Sequence, residues 1–163
     1  MEAFMVTIRR GIALVAVLLL ETVALSGCNL LDPDEFDDET ERLEESRGKW
    51  RSQGIDDYEF VLRRLCFCGG GTNPARVVVR DGLRLSVTDT TTGEPIPAQF
   101  AQYYLTVEEL FDFIADAIER RAHSIDVEYH AAFGYPTSIR IDYIENAIDE
   151  EMAFEAGNLR PLR

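Results

Sequence analysis

The sequence predicts an α+β fold: one antiparallel sheet of about six strands with two helices, in the order α-β-β-β-α-β-β-β. Three observations carry this expectation. Thr106-x-x-Glu109 opens an amphipathic run that reads as a capped helix. Arg76 to Val87 (RVVVRDGLRLSV) reads as two strands around Asp81-Gly82, a two-residue hairpin signal. The pairs and triplets Ile125/Val127/Tyr129, Ile139/Ile141/Tyr143 and Met152/Phe154 alternate at period two, as half-buried strands do.

The remaining elements follow in chain order. A first helix is expected from about Asp38 to Gln53, ending at Gly54, with Leu43 and Trp50 seven residues apart on one face and Glu45–Lys49 as an i,i+4 pair. Tyr58, Phe60 and Leu62 then alternate with polar positions, marking the first strand. In the second helix Leu105 and Leu110 stand at the positions of a hydrophobic staple, and Leu110, Phe111, Ile114, Ala117 and Ile118 form one apolar stripe. Arg120 and Arg121 are expected to close its last turn, where the helix dipole favours cations. The halves echo each other locally: Pro74-x-x-Val77-x-Val79 is matched by Pro136-x-x-Ile139-x-Ile141.

The N-terminus has a different character. Arg9 and Arg10 precede the apolar run Gly11 to Leu20, and small residues lead to Cys28. This is the layout of a secretory signal, and the run is short of the roughly 20 apolar residues that span a bilayer. Leu25-Ser26-Gly27-Cys28 resembles the lipobox of bacterial lipoproteins, which implies cleavage after residue 27 and acyl chains on Cys28. Residues 28–37 are then an acidic tether, and 38–163 a single domain of ~120 residues, enough to build a core. From Asp32 to Glu45 there are nine acidic residues against one arginine, which favours a solvated spacer. The expected location is the cell membrane or outer membrane, facing the periplasm or exterior; Asn29 is not the aspartate that resembles an inner-membrane retention signal, which favours the outer membrane where there are two.

Charge restricts the partners. The chain carries 30 acidic and 16 basic residues, a net charge of −14. It lacks the basic footprint by which nucleic acid is held, and the lipid is expected to anchor it to the membrane without help from protein charge. A monomer is expected, with an envelope protein as the possible partner.

Outside the cytoplasm thiols oxidise, and with Cys28 lipidated the remaining cysteines, Cys66 and Cys68, have only each other. Residues i and i+2 of a strand are about 6.6 Å apart, near the upper limit for a disulfide, so the backbone must kink. Gly69-Gly70-Gly71 is suited to absorbing that kink. A redox-active couple and a zinc set with His123 and His130 are the alternative uses of the pair. Asp142, Asp149, Glu150 and Glu151 are weak candidates for calcium within the segment Ile141 to Glu151, where a solvated acidic hairpin connection is favoured. No nucleophile elbow, HExxH, Walker loop or GxGxxG is present. Asp126 and Glu128 project from one strand face about 6–7 Å apart, a separation that also occurs routinely on exposed strands.

Trp50, Asp57-Tyr58-x-Phe60, Cys66-x-Cys68, Asp81-Gly82, Gly134-Tyr135-Pro136-x-x-Ile139-x-Ile141-Asp142 and Asp149-Glu150-Glu151 together resemble a family of bacterial lipoproteins carrying a domain of unknown function. The resemblance spans about Trp50 to Phe154 and implies no activity. The expectation is therefore a lipid-anchored extracytoplasmic binding module with no catalytic residues and no cofactor. Phe100, Tyr103 and Tyr104 in PIPAQFAQYYL are its candidate surface, since aromatics anchor interfaces. A cation-binding or redox-active envelope protein is the alternative, with a hydrolase behind both.

Overall fold

The computed structural model describes residues 35–65, 73–144 and 151–163. The elements are α1 (Glu35–Ser52), β1 (Tyr58–Leu65), β2 (Ala75–Arg80), β3 (Leu83–Asp89), the short α2 (Ala98–Ala101), α3 (Val107–Glu119), β4 (Ser124–Tyr129), β5 (Pro136–Asp142) and β6 (Met152–Pro161). The six strands form one sheet in the order β3-β2-β1-β6-β5-β4. Every neighbouring pair is antiparallel. The α+β class and the strand count are as the sequence predicts.

Local chemistry accounts for most elements. The helix α3 is capped as expected: Thr106 Oγ1 accepts from the Glu109 N–H at 3.2 Å, and Glu109 Oε2 accepts from the Thr106 N–H at 2.7 Å. Asp81 and Gly82 both take positive φ, 49° and 71°, the pairing that a two-residue type I′ turn requires. Asp57 secures this hairpin from the preceding loop, accepting from the Asp81 N–H at 2.8 Å and from Arg80 at 2.7 Å. The helix α1 stops where Gly54 turns left-handed, at φ 60°.

Three boundaries and one added element differ from the expectation. Helix α1 begins at Glu35, inside the segment read as tether. Phe36, whose ring lies 5.5 Å from the Arg121 guanidinium carbon, gives that extra turn a tertiary contact. Arg120 serves as the cap of α3 instead of closing its last turn, and Arg121 follows at φ 51°. The turn α2 is an addition to the expected elements. Strand β6 runs for ten residues because β1 pairs with it from Ala153 to Pro161, while β5 pairs only with Met152 to Glu155.

Both long helices cover one face of the sheet. Trp50 of α1 meets Tyr58 of β1 edge-on at 5.3 Å, and Phe113 of α3 meets Phe154 of β6 at 5.3 Å. The core is the layer between, built from Tyr58, Phe60, Leu62, Val77, Val79, Ile139 and Ile141 of the sheet and Leu110, Phe111 and Ile114 of α3. Each half places its strands in the same lateral order, but with opposite strand direction and with its helix on the same face. No rotation carries one such half onto the other, so the sequence echo is local and not a superposable repeat. Among the described residues no helix is long and apolar enough to cross a membrane.

Candidate functional site

Cys28, Cys66, Cys68, Asp149 and Glu150 lie outside the described residues. The aromatic trio is divided. Tyr103 is 44% exposed, with the Arg64 guanidinium carbon 4.7 Å from its ring centre, and Phe100 is half-buried on α2. Tyr104 is only 1% exposed and leaves the candidate surface. Its hydroxyl donates to the Asn73 carbonyl at 3.1 Å, and its own carbonyl accepts from Arg84 at 3.0 Å. The turn α2 folds over the sheet and directs Tyr104 inward, something aromatic density along the chain does not reveal.

Of the titratable candidates, His130, Asp142 and Asp126 are held in structural bonds. His130 Nδ1 accepts from the N–H groups of Ala132 and Phe133, both at 3.2 Å, and its ring stacks on Tyr135 at 5.0 Å. His123 is exposed elsewhere. Asp142 accepts from the Ile144 N–H at 3.1 Å, Glu151 is exposed, and among the described residues no three His, Cys, Asp or Glu side chains gather as a metal site. Asp126 pairs with Arg140 at 3.5 Å across the strands. Glu39 is buried beside Arg42 (2.6 Å) and the Tyr129 hydroxyl (3.1 Å), and burial holds its carboxyl above the usual range.

A cleft of about 300 Å³ opens between the end of α1 and the start of α3. Glu108 stands on its wall and ties α3 to α1 and β1. It accepts from Trp50 Nε1–H at 2.9 Å and from the Tyr58 hydroxyl at 2.7 Å, while that hydroxyl accepts from the Val107 N–H at 2.9 Å. Burial first, then the adjacent Glu108 carboxylate, drives the Tyr58 phenol far above its ordinary value, so it remains a donor. Gly134 completes the same end. It has φ 84°, and a Cβ there would meet the Ser46 carbonyl oxygen at 2.4 Å. Glu108 was not visible as special in the sequence; it is one of five acidic residues on α3.

The two faces of the domain differ in charge. Helix α1 carries seven acidic and four basic residues, and α3 five acidic and none basic, so the helix layer is strongly negative. The outer sheet face balances five arginines against five carboxylates. Four of those arginines are paired: Arg63 with Glu155, Arg80 with Asp57, Arg140 with Asp126 and Arg160 with Glu59. Arg76, exposed in the middle of β2, has no ion-pair partner among the described residues.

Across this fold the profile of a family of unknown function, DUF6174, matches residues 42–161. The chain belongs to DUF6174. No curated protein and no solved structure matches it. The DUF6174 span runs from inside α1 to the end of β6 and so includes the later part of α1, all of α3 and all six strands. Within it, several residues that carry the lipoprotein-family resemblance have structural work: Trp50 and Tyr58 bind Glu108, Asp57 secures the hairpin, and Gly134 admits α1.

Proposed function

We propose that this DUF6174 chain is a lipid-anchored extracytoplasmic lipoprotein whose domain is a protein-binding module of the cell envelope and not an enzyme. The observation that carries the reading is the N-terminal sequence: two arginines, a short apolar run and Leu25-Ser26-Gly27-Cys28. Acyl chains contribute about 0.8 kcal/mol per buried methylene, so the two or three chains of a lipoprotein hold it firmly on a bilayer. The earlier start of α1 leaves residues 29–34 as spacer, reaching about 20 Å at full extension. The domain therefore works close to its membrane. A binding role is supported by the carboxylates Glu39, Asp57, Asp89, Glu108 and Glu109, each engaged in a bond that shapes the fold.

Metabolic labelling with a tagged fatty acid tests the anchor. The wild-type chain is expected to take up label and fractionate with membranes, and Cys28→Ala to lose both. Label on the alanine variant would overturn the reading.

A further inference from the structure

The outer sheet face holds a feature that the fold itself does not use. In the register of the sheet, Gly157 of β6 lies opposite Val61 of β1, Val61 opposite Arg76 of β2, and Arg76 opposite Thr88 of β3. This row crosses four strands on the face away from the helices. Arg76 is exposed, while Val61, Thr88 and Val78, its neighbour two residues along β2, are half-buried. A cation in a chain of net charge −14 thus stands among neutral side chains, with its face's carboxylates committed to other arginines or set on the far strands.

Gly157 supplies a second, independent observation. Its φ is not positive, and a Cβ built on it would have nothing within 4 Å. It borders the irregularity at which β6 shifts register against β1, next to Asn158 at φ 55°, and it leaves the space above that point open. Glycine within a strand weakens it, and it often marks a bulge, as here, or a place where another backbone can approach closely. Further along the edge strand β3, Leu83, opposite Arg80, and Leu85, at the register shift, are 74% and 68% exposed. Two large apolar side chains along the open edge, an unobstructed floor at Gly157 and an unpaired guanidinium on the same sheet describe an interface with a charged anchor in a neutral surround.

We propose that this row is the docking site of the binding module, and that it receives an acidic segment of a partner protein. A carboxylate of that segment pairs with Arg76, its backbone lies over Gly157 and Val61, and its apolar side chains reach Leu83 and Leu85. A guanidinium presents a fork that matches a carboxylate bidentately, which gives the contact direction as well as charge. The strongly acidic helix layer repels the same segment, so the two faces together select the orientation of docking. This inference rests on the reading of the chain as an envelope binding module.

Photocrosslinking in the lipidated full-length chain, within its own envelope, tests it. A photoreactive residue is placed at Ser86 or Thr88 on the sheet face, and in parallel at Glu44 or Glu119 on the helix layer. The expected result is a protein adduct from the sheet face only, whose crosslinked peptide contains Asp or Glu close to the point of attachment. Arg76→Glu should lower the adduct yield at least tenfold, Arg76→Lys less, and Gly157→Leu should block docking while leaving the melting temperature intact. Adducts confined to the helix layer, adducts to lipid or to a second copy of this chain, or an Arg76→Glu yield equal to wild type would each overturn the docking site. Protein adducts from the helix layer would still leave the binding-module reading standing. Absence of any protein adduct from either face would sink both.

Discussion

Replacing Gly134 with alanine probes how tightly α1 is seated on the sheet. The backbone at 134 has φ 84°, outside the region that L-residues adopt readily, and forcing a side chain into such a conformation costs about 1–2 kcal/mol. The new Cβ would also meet the Ser46 carbonyl oxygen at 2.4 Å, Lys49 Cβ at 3.0 Å and the Trp50 nitrogen at 3.1 Å. The first and last are backbone atoms of α1, so relief requires the helix to move. Overpacking of this kind costs typically ~1–3 kcal/mol. The sum, about 2–5 kcal/mol, corresponds to a fall in melting temperature of roughly 8–20 °C for a domain of this size. Gly54 provides the control. It has φ 60° with nothing within 4 Å of a built Cβ, so Gly54→Ala carries the backbone cost without the clash. Thermal melts of both variants by circular dichroism separate the two contributions. If Gly134→Ala melts no lower than Gly54→Ala, α1 does not bear on residue 134 as described and the argument fails.

Four further outcomes are expected. Glu39 is buried with its folded pKa raised, so its ionisation above the ordinary carboxylate range costs stability; Glu39→Gln should melt at or above wild type at pH 7, with the advantage vanishing near pH 4. Asp57 has the opposite sign: the Asp81 N–H and Arg80 hold its pKa down, its contribution is present above the unfolded value and lost as pH falls through the folded one. Asp57→Asn should therefore lower the melt at pH 7, and the difference should close below about pH 3.9. A chain beginning at Glu35 should keep the stability of one beginning at Asn29, whereas one beginning at Asp38 should melt lower, because it loses Phe36 against Arg121; equal melts would return the boundary to Asp38. Mass spectrometry of the exported protein without reductant should find Cys66 and Cys68 bonded to each other, and two free thiols or bound zinc would refute it.

What could be read from the sequence is what short stretches decide. The capping box at Thr106 and Glu109 and the Asp81-Gly82 turn are governed by bonds within a few residues, and both appear where local chemistry places them. The period-two strands are legible because one face is buried along their length. The burial of Tyr104 depends on Asn73 and Arg84, and the bridging role of Glu108 on Trp50 and Tyr58, all distant in the chain. The start of α1 depends on Arg121 meeting Phe36. The proposed docking row is the extreme case. Gly157, Val61, Arg76 and Thr88 become neighbours only through three strand registers, and no pattern along the chain aligns them.

The position of β6 also constrains the order in which the molecule can be made. The last strand of the chain sits at the centre of the sheet, pairing Tyr58 with Pro161 and Leu65 with Ala153 on one side and β5 on the other. Until that segment is available, the β1–β3 and β4–β5 portions have no hydrogen-bonded seam between them. Pairings so distant in sequence form slowly, because closing the intervening loop costs entropy before any contact rewards it. A polypeptide emerging from synthesis N-terminus first would thus stay open along its middle until β6 appears. For a protein read as passing through a membrane before it folds, that delay keeps the chain in a threadable state.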